Sequence, residues 1–282
     1  MLTHPEFDDI ARLLRAVREK KPLVHNLTNY VTVNDCANAL LAVGASPVMA
    51  DELGEAADIA ALADAVVINI GTLNARTIPA MFAAGEKAAA LGRPVILDPV
   101  GAGASRLRTE TSLDLMREIP LAVIRGNASE IKALLAGSGT TRGVDASEGD
   151  LRADGLGGAA AAAKALAGRT GAVVAVTGPT DVLTDGTLTF AVRNGHPLMS
   201  RITGSGCMLS AVTAAFCGAA PKRTLDAVAA ALCTMGLAGE QAAQRTAREN
   251  AGTGSFRTYL IDSLSLMTET ALAGGMKLER FA

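Results

Sequence analysis

Short apolar runs that alternate with longer amphipathic runs constrain the fold of this chain most. Strands that are apolar at every position must be covered on both faces, and helices between such strands make parallel crossover connections. The pattern therefore predicts an α/β fold with three layers, α/β/α, around a mostly parallel sheet. The clearest runs are Ala65-Val-Val-Ile-Asn69, Pro94-Val-Ile-Leu97, Leu121-Ala-Val-Ile124 and Ala172-Val-Val-Ala-Val176.

Weaker patterns fill in the rest of the chain. An Asp185-Gly186 turn between two β-rich runs, 181–184 and 187–192, predicts a hairpin. The stretch 137–158, rich in Gly, Ser, Thr and Asp, predicts a surface loop. Because the sequence shows no domain linker and no internal repeat, we expect residues 1–282 to form a single domain. Further strands are predicted at 22–25 and 46–49, and helices at 33–43, 75–91, 159–167, 205–217, 223–246 and 254–270.

Composition excludes several classes of function. The formal net charge is −2 without clusters of Lys and Arg, so no nucleic-acid partner is expected. Apolar segments are interrupted before they reach the 18 or so residues of a membrane span, and the N-terminus lacks a secretory pattern. We therefore expect a cytoplasmic protein without membrane association. The four cysteines form no CxxC pair, which argues against zinc or a disulfide framework; Cys217 and Cys233 are predicted core residues.

A glycine-rich segment, Thr203-Gly-Ser-Gly-Cys207, stands directly before a helical run. Gly204 and Gly206 allow a tight turn, and the free N–H groups and positive dipole of a helix N-terminus favour an anion such as phosphate. A thiol at this place, Cys207, has its thiolate favoured. The alternatives are a tight loop under the sheet and a Cys207 that is only a small buried apolar residue.

Polar residues follow several predicted strands, where open α/β sheets bind their ligands. They are Asp98, Arg125, Asn127, Glu130 and Thr177. Each has a structural explanation, since Asn127 alone fits a helix N-cap. Together they supply carboxylates for Mg²⁺, acting directly or through water, and an arginine for phosphates. This combination favours phosphoryl transfer, in which catalysis is mainly positioning and charge neutralisation.

The same segments resemble the hydroxyethylthiazole kinases of thiamine salvage, within the ribokinase-like superfamily. The resemblance implies a ribokinase-like kinase domain that uses ATP to phosphorylate the primary hydroxyl of 4-methyl-5-(2-hydroxyethyl)thiazole. The matching segments are collinear and cover most of the chain: Val24-His-Asn-Leu-Thr-Asn29, Gly44-Ala-Ser-Pro-Val-Met-Ala50, Asn69-Ile-Gly-Thr72, Leu97-Asp-Pro-Val-Gly-Ala-Gly103, Ile124-Arg-Gly-Asn-Ala-Ser-Glu130, Gly143-Val-Asp145, Val176-Thr-Gly178, Asn194-Gly-His196 and Thr203-Gly-Ser-Gly-Cys207.

The resemblance also implies roles for individual residues. Met49 and Asn26 are expected to line the thiazole pocket, often that of a neighbouring subunit in a homotrimer. Gly204 is expected near the substrate hydroxyl. The remaining roles are ATP binding for Arg125, Thr177 and Asn127, and organisation of Mg²⁺ for Asp98 and Glu130.

Cys207 stands where most of the superfamily carries an aspartate base. A thiol is a poorer proton acceptor, and a nearby triphosphate opposes thiolate formation. Our hypothesis is that Cys207 mainly positions the hydroxyl, while the N–H groups from Gly204 to Gly206 hold the developing charge.

Two other functions compete with the kinase. A nucleotide-dependent hydro-lyase is expected to carry an acid in place of Cys207, and a non-catalytic sensor to have lost Asp98, Glu130 or the glycines. His25 and His196 lie beside strand ends or turns, where a structural role is expected.

Overall fold

The computed structural model describes residues 5–137 and 155–281, and every strand within them joins one sheet of order β2-β1-β3-β4-β5-β6-β7-β8-β9. The pairings from β2 to β6 are parallel, and those from β6 to β9 are antiparallel. The strands are β1 (Leu23–Leu27), β2 (Ser46–Val48), β3 (Ala65–Asn69), β4 (Val95–Asp98), β5 (Val123–Asn127), β6 (Val173–Thr177), β7 (Asp181–Thr184), β8 (Thr189–Val192) and β9 (Leu278–Arg280).

Helices cover both faces of this sheet. They are α1 (Pro5–Ala11), α2 (Leu13–Lys20), α3 (Val33–Val43), α4 (Leu53–Leu62), α5 (Thr77–Ala90), α6 (Arg106–Glu118), α7 (Ala128–Gly137), α8 (Leu156–Thr170), α9 (Ser205–Ala219), α10 (Thr224–Arg248), α11 (Thr253–Leu266) and α12 (Glu269–Gly275), with a 3-10 turn at Pro197–Arg201. None of these helices is long and apolar enough to cross a membrane.

Alternate residues of β3 pack into two separate hydrophobic cores, one on each face of the sheet. Val67 packs with residues of α3, α9 and α10, whereas Val66 and Ile68 pack on the other face with residues of α5 and α7. Because successive side chains of a strand point to opposite faces, a strand buried on both sides must be apolar at every position. The predicted three-layer architecture is confirmed, and Cys217 and Cys233 are core residues as predicted.

Two predicted boundaries are wrong. We expected a strand to end at Ile124, but β5 continues because Arg125 and Asn127 pair with Ala175 and Thr177 of β6. The helix predicted over 254–270 is instead two helices, since Met267 is extended and the Thr268 hydroxyl accepts a hydrogen bond from Ala271 N that begins α12. The Asp185-Gly186 hairpin is confirmed. Most of the loop predicted at 137–158 lies outside the described residues.

Candidate active site

Four neighbouring strands end in polar residues at one edge of the sheet. Asn69 of β3 lies opposite Asp98 of β4, and Asn127 of β5 lies opposite Thr177 of β6. Parallel pairing brings all four carboxyl ends to the same edge, which is where open α/β sheets bind ligands. The site predicted from the sequence therefore collects at this edge.

The glycine loop brings the N-terminus of α9 to the same edge. Gly204 has a φ of 86°, and a Cβ atom there would lie 2.7 Å from Thr32 Cγ2, so both conformation and space require glycine. The first internal hydrogen bond of α9 runs from Met208 N to Gly204 O over 2.8 Å. The N–H groups of Ser205, Gly206 and Cys207 precede this bond and are left for a ligand.

Arg125 occupies the space left by the missing side chain of Gly206. A Cβ atom on Gly206 would lie 3.0 Å from both Nη1 and Nη2 of Arg125. The guanidinium is held in place by Thr177 Oγ1 at 2.8 Å from Nη2 and by Asp98 Oδ2 at 3.4 Å from Nη1. A fixed positive charge thus adjoins a helix N-terminus, and both favour an anion.

A cleft of about 560 Å³ opens from this point. Arg125, Thr177 and the turn at Ser205–Gly206 lie together and form its polar end. The remaining lining includes the apolar residues Pro197, Met199, Leu232 and Met235. A charged end joined to an apolar slot matches a ligand with a flat ring at one end and phosphates at the other.

The sulfur of Cys207 receives two amide donors. Asn29 Nδ2 lies 3.2 Å and Asn69 Nδ2 lies 3.3 Å from Sγ. The orientation of both amides is set by their oxygens, because Asn29 Oδ1 accepts from the N–H and hydroxyl of Thr32, and Asn69 Oδ1 accepts from Gly71 N and Asn29 Nδ2. Neither amide can flip without losing these bonds. The pair of amides around Cys207 was missed by the sequence analysis, which placed Asn69 at a strand end without a role.

Asp98 is buried at the centre of the network. Its Oδ2 accepts from Asn69 Nδ2 and from Ser210 Oγ, each at 2.8 Å, and faces Arg125. Its Oδ1 is buried without a hydrogen-bond partner among the residues that the structure describes. Burial raises the pKa of Asp98, and the positive charge of Arg125 is the largest opposing influence. Because this oxygen accepts no hydrogen bond, it remains available to a metal ion or another donor.

Both carboxylate oxygens of Glu130 accept hydrogen bonds from backbone N–H groups. Its Oε2 accepts from Asn127 N at 2.7 Å, its Oε1 accepts from Gly101 N at 2.8 Å, and Asn127 Oδ1 accepts in return from Glu130 N at 2.9 Å. This reciprocal arrangement is a capping box that starts α7 and ties down the loop after β4. Within residues 5–137 and 155–281, no group of three or more His, Cys, Asp or Glu side chains is arranged to hold a metal.

The residues expected in the thiazole pocket lie toward the other side, at β1 and β2. Met49 follows β2, the edge strand, and is half-buried. Asn26 is buried in β1, where Nδ2 donates to Val24 O and Oδ1 has no partner within residues 5–137 and 155–281. Neither residue lines the cleft beside Arg125.

His25 and His196 occupy structural positions. His25 is buried, its Nε2 lies 2.7 Å from Ala50 O, and burial lowers its pKa, which keeps it neutral. His196 lies on the wall of the cleft, and its Nδ1 accepts from Leu198 N at the start of the 3-10 turn.

One carboxylate in the cleft was also missed by the sequence analysis. Asp181, the first residue of β7, accepts a hydrogen bond from Gly178 N over 2.9 Å and lines the cleft. Burial raises the pKa of Asp181 to about 6. Its only sequence signal was a position four residues after Thr177, which reads as a turn residue.

Comparison with known proteins agrees with this geometry. The sequence pattern of the Hydroxyethylthiazole kinase family matches residues 14–270. The chain belongs to the hydroxyethylthiazole kinase family. It is 51% identical over 260 residues to the hydroxyethylthiazole kinase of Ruminiclostridium cellulolyticum, covering 92% of this chain and 93% of that protein. It is also 51% identical over 252 residues to the enzyme of Clostridium acetobutylicum, covering 89% and 92%.

Solved structures extend the comparison to three dimensions. The hydroxyethylthiazole kinase of Pyrococcus horikoshii OT3 superposes with a TM-score of 0.86 at 41% identity, covering 97% of this chain and 99% of that one. A pyridoxal kinase from Staphylococcus aureus in complex with AMP-PCP shares the fold at a TM-score of 0.53, 15% identity, and coverage of 77% and 88%. The family assignment and the ribokinase-like fold are therefore confirmed. The segment Gly143-Val-Asp145, one of those that resemble the family in sequence, lies outside the described residues.

Proposed function

We propose that this chain phosphorylates the primary hydroxyl of 4-methyl-5-(2-hydroxyethyl)thiazole with ATP, giving the thiazole phosphate used in thiamine biosynthesis and salvage. The observation that carries the proposal is the Arg125 guanidinium packed against Gly206 at the N-terminus of α9. It lies at the polar end of a cleft large enough for a nucleotide. Family membership supplies the identity of the alcohol.

In the proposed reaction, the alcohol oxygen bonds to the γ-phosphorus, the bond from the γ-phosphorus to the β,γ-bridging oxygen breaks so that ADP leaves with that oxygen, and the hydroxyl proton passes to solvent water. Arg125, held by Thr177, balances charge on the transferring phosphoryl group, with Asn127 two residues further along the same strand. The N–H groups that follow Gly204 hold the charge that develops in the transition state. Cys207 positions the hydroxyl, because its sulfur is fixed by Asn29 and Asn69.

Mg²⁺ is part of the proposal, and the residues present fit it. Magnesium takes one or two carboxylates together with waters and phosphate oxygens. Asp98 offers the orphaned Oδ1 for this purpose, whereas Glu130, whose oxygens accept backbone N–H groups, organises the surrounding loops. When bound, the ion neutralises triphosphate charge.

The proposed assembly is a homotrimer of single kinase domains, each spanning residues 1–282. Support comes from exposed apolar side chains on the segments around edge strand β2: Tyr30, Val31, Leu41, Leu53 and Leu62. Such apolar exposure beside an unpaired edge is typical of an interface. Met49 and Asn26 then contribute to a thiazole pocket at this interface. With ATP as co-substrate, we propose a cytoplasmic location.

The test is ADP release by purified protein with ATP and Mg²⁺, comparing hydroxyethylthiazole, hydroxymethylpyrimidine and no acceptor. Release only with the thiazole, matched by the phosphorylated product in a mass spectrum, is the expected result. Folded protein that binds ATP but releases no ADP with any acceptor would overturn the assignment. That outcome would favour the nucleotide sensor or the hydro-lyase.

A further inference from the structure

One wall of the cleft is a segment without regular strand structure, residues 194–200, which runs from the end of β8 through the 3-10 turn. Asn194, Gly195 and Met199 belong to this wall. A segment of this kind has no ladder of strand hydrogen bonds to hold it, so other groups must fix its distance from the opposite side of the cleft.

The groups that hold the wall come from one face of α10. Gly236 and Glu240 are four residues apart, so they lie one helical turn apart on the same face. A Cβ atom on Gly236 would lie 2.6 Å from Asn194 Cβ and 2.7 Å from its carbonyl carbon, so the helix touches the wall backbone directly. Gly239, on the same face, leaves space that Met199 fills.

Glu240 binds the wall at two points with one oxygen. Its Oε1 accepts from Asn194 Nδ2 at 3.1 Å and from Gly195 N at 3.0 Å. Its Oε2 accepts from Lys277 Nζ at 2.8 Å, and the Glu240 side chain is only 16% exposed. Hydrogen bonds to a carboxylate are among the stronger ones in proteins, particularly where water has limited access.

The segment from the end of α12 to the start of β9 completes the arrangement. Lys277 N donates to Asn194 Oδ1 at 2.7 Å, and Asn194 Nδ2 also donates to Gly275 O at 2.9 Å. Both polar atoms of the Asn194 side chain therefore form hydrogen bonds within the protein, and neither is available to bind a ligand. This residue serves the cleft through the position of its backbone.

We propose that Glu240 is a positioning residue for the nucleotide: it fixes residues 194–195 at the width that the base and ribose require. The inference rests on the proposed function of the cleft as the ATP site. Because Glu240 lies on the cleft side and not at Cys207 or Met49, its loss is expected to weaken ATP binding selectively. The thiazole site and the chemical step are expected to change little.

The experiment compares Glu240→Ala and Glu240→Gln with Glu279→Gln. Glu279 is a matched control, because it pairs with Arg193 in an exposed ion pair at the same junction of β8 and β9 without contacting the cleft wall. For each variant we would measure kcat, the KM of ATP, the KM of the thiazole and the melting temperature, and titrate ATP by calorimetry.

Glu240→Ala is expected to raise the KM and Kd of ATP roughly tenfold, the scale of one charge-assisted hydrogen bond, with kcat and the thiazole KM within about twofold. Glu240→Gln keeps one carbonyl acceptor for the wall and is expected to recover most of the loss. Glu279→Gln is expected to match wild type.

Two results would overturn the proposal. One is an ATP affinity in Glu240→Ala within about twofold of wild type, and the other is a parallel loss of kcat and of both affinities. If Glu240→Ala does not fold, Glu240→Asp carries the same test, because the shorter side chain withdraws the acceptor from Gly195 while keeping the charge. Wild-type protein that does not bind ATP would instead refute the proposed function itself.

Discussion

Asn69 Nδ2 donates to the sulfur of Cys207 over 3.3 Å and to Asp98 Oδ2 over 2.8 Å. One amide therefore joins the residue at the start of α9 to the buried carboxylate at the end of β4. The two donors that surround the sulfur suit a carboxylate equally well, since carboxylate oxygens accept several hydrogen bonds.

Replacing Cys207 by Asp should retain or raise kcat. The new carboxylate would meet the N–H donors of Asn29 and Asn69 and could take the hydroxyl proton directly. Steady-state kinetics with ATP and the thiazole checks this, with circular dichroism as the control for folding. Complete loss of turnover in a folded Cys207→Asp protein would contradict the positioning role.

Removing the amide of Asn69 should lower kcat about tenfold and change the KM of ATP by a smaller factor, because this amide contacts Cys207 directly and reaches Arg125 only through Asp98. Asn69→Ala should be combined with Cys207→Ala in a double-mutant cycle. A coupling that is close to zero would show that Asn69 does not act through the thiol.

Glu130→Gln should have two separate effects. A glutamine has one acceptor oxygen for the two N–H groups of Gly101 and Asn127, so the free energy of unfolding should fall by about 1–3 kcal/mol. If Glu130 also organises magnesium, the half-saturating Mg²⁺ concentration should rise about tenfold. Chemical denaturation and a Mg²⁺ titration of activity measure the two effects. Lower stability with an unchanged Mg²⁺ dependence would limit Glu130 to its capping role.

Asp181→Asn should stabilise the protein more at high pH than at low pH. Burial raises the pKa of Asp181 from 3.8 to about 6, so the folded state holds the proton more tightly than the unfolded state. This contribution to stability is fully present below pH 3.8 and is lost as the pH rises through 6. Asparagine does not titrate, and it keeps an acceptor for Gly178 N.

The gain in unfolding free energy for Asp181→Asn should therefore be about 1 kcal/mol larger at pH 8 than at pH 5. Urea denaturation of both proteins at the two pH values measures it. Equal gains at pH 5 and pH 8 would mean that Asp181 has no raised pKa.

The apolar side chains around β2 can be tested with a charged substitution. Leu62 is 71% exposed on α4, and Leu266 is 76% exposed at the end of α11. Leu62→Glu should break the proposed trimer, because burying a carboxylate in an interface is costly, while Leu266→Glu should leave it intact. Light scattering on a sizing column distinguishes the two. A wild-type protein that elutes as a monomer would remove the basis for this prediction.

The sequence was sufficient to predict the layers of the fold, because a short and continuously apolar run such as Ala65–Asn69 is typical of a strand that is buried on both faces. It also located Asp98, Arg125 and Thr177 at strand ends, where the structure joins them. The ends of the strands and helices were predicted less accurately than their order. Nothing local to Arg125 reveals that β5 continues, because that depends on pairing with β6, which is distant in sequence.

The roles of Asn29, Ser210 and Asp181 were not predictable for a related reason. Each is a common turn, helix or strand-end residue in the sequence. The importance of Asn29 and Ser210 arises from a side-chain contact across the fold, and that of Asp181 from its burial in the cleft. Glu130 illustrates the opposite case. Its residue type and the family resemblance predicted a role in organising Mg²⁺, directly or through water, and that role stays a prediction. The structure adds a second role that the sequence did not reveal, because both its oxygens accept hydrogen bonds from backbone N–H groups.

The missing side chain of Gly206 limits how this family can evolve. Because a methyl group there would crowd both terminal nitrogens of Arg125, which Asp98 and Thr177 hold in place, an alanine at 206 would displace the guanidinium. The reverse change, loss of the arginine, would leave a gap at the helix start. Positions 125 and 206, which are far apart in the sequence, therefore constrain each other, and we expect homologues to change both or neither.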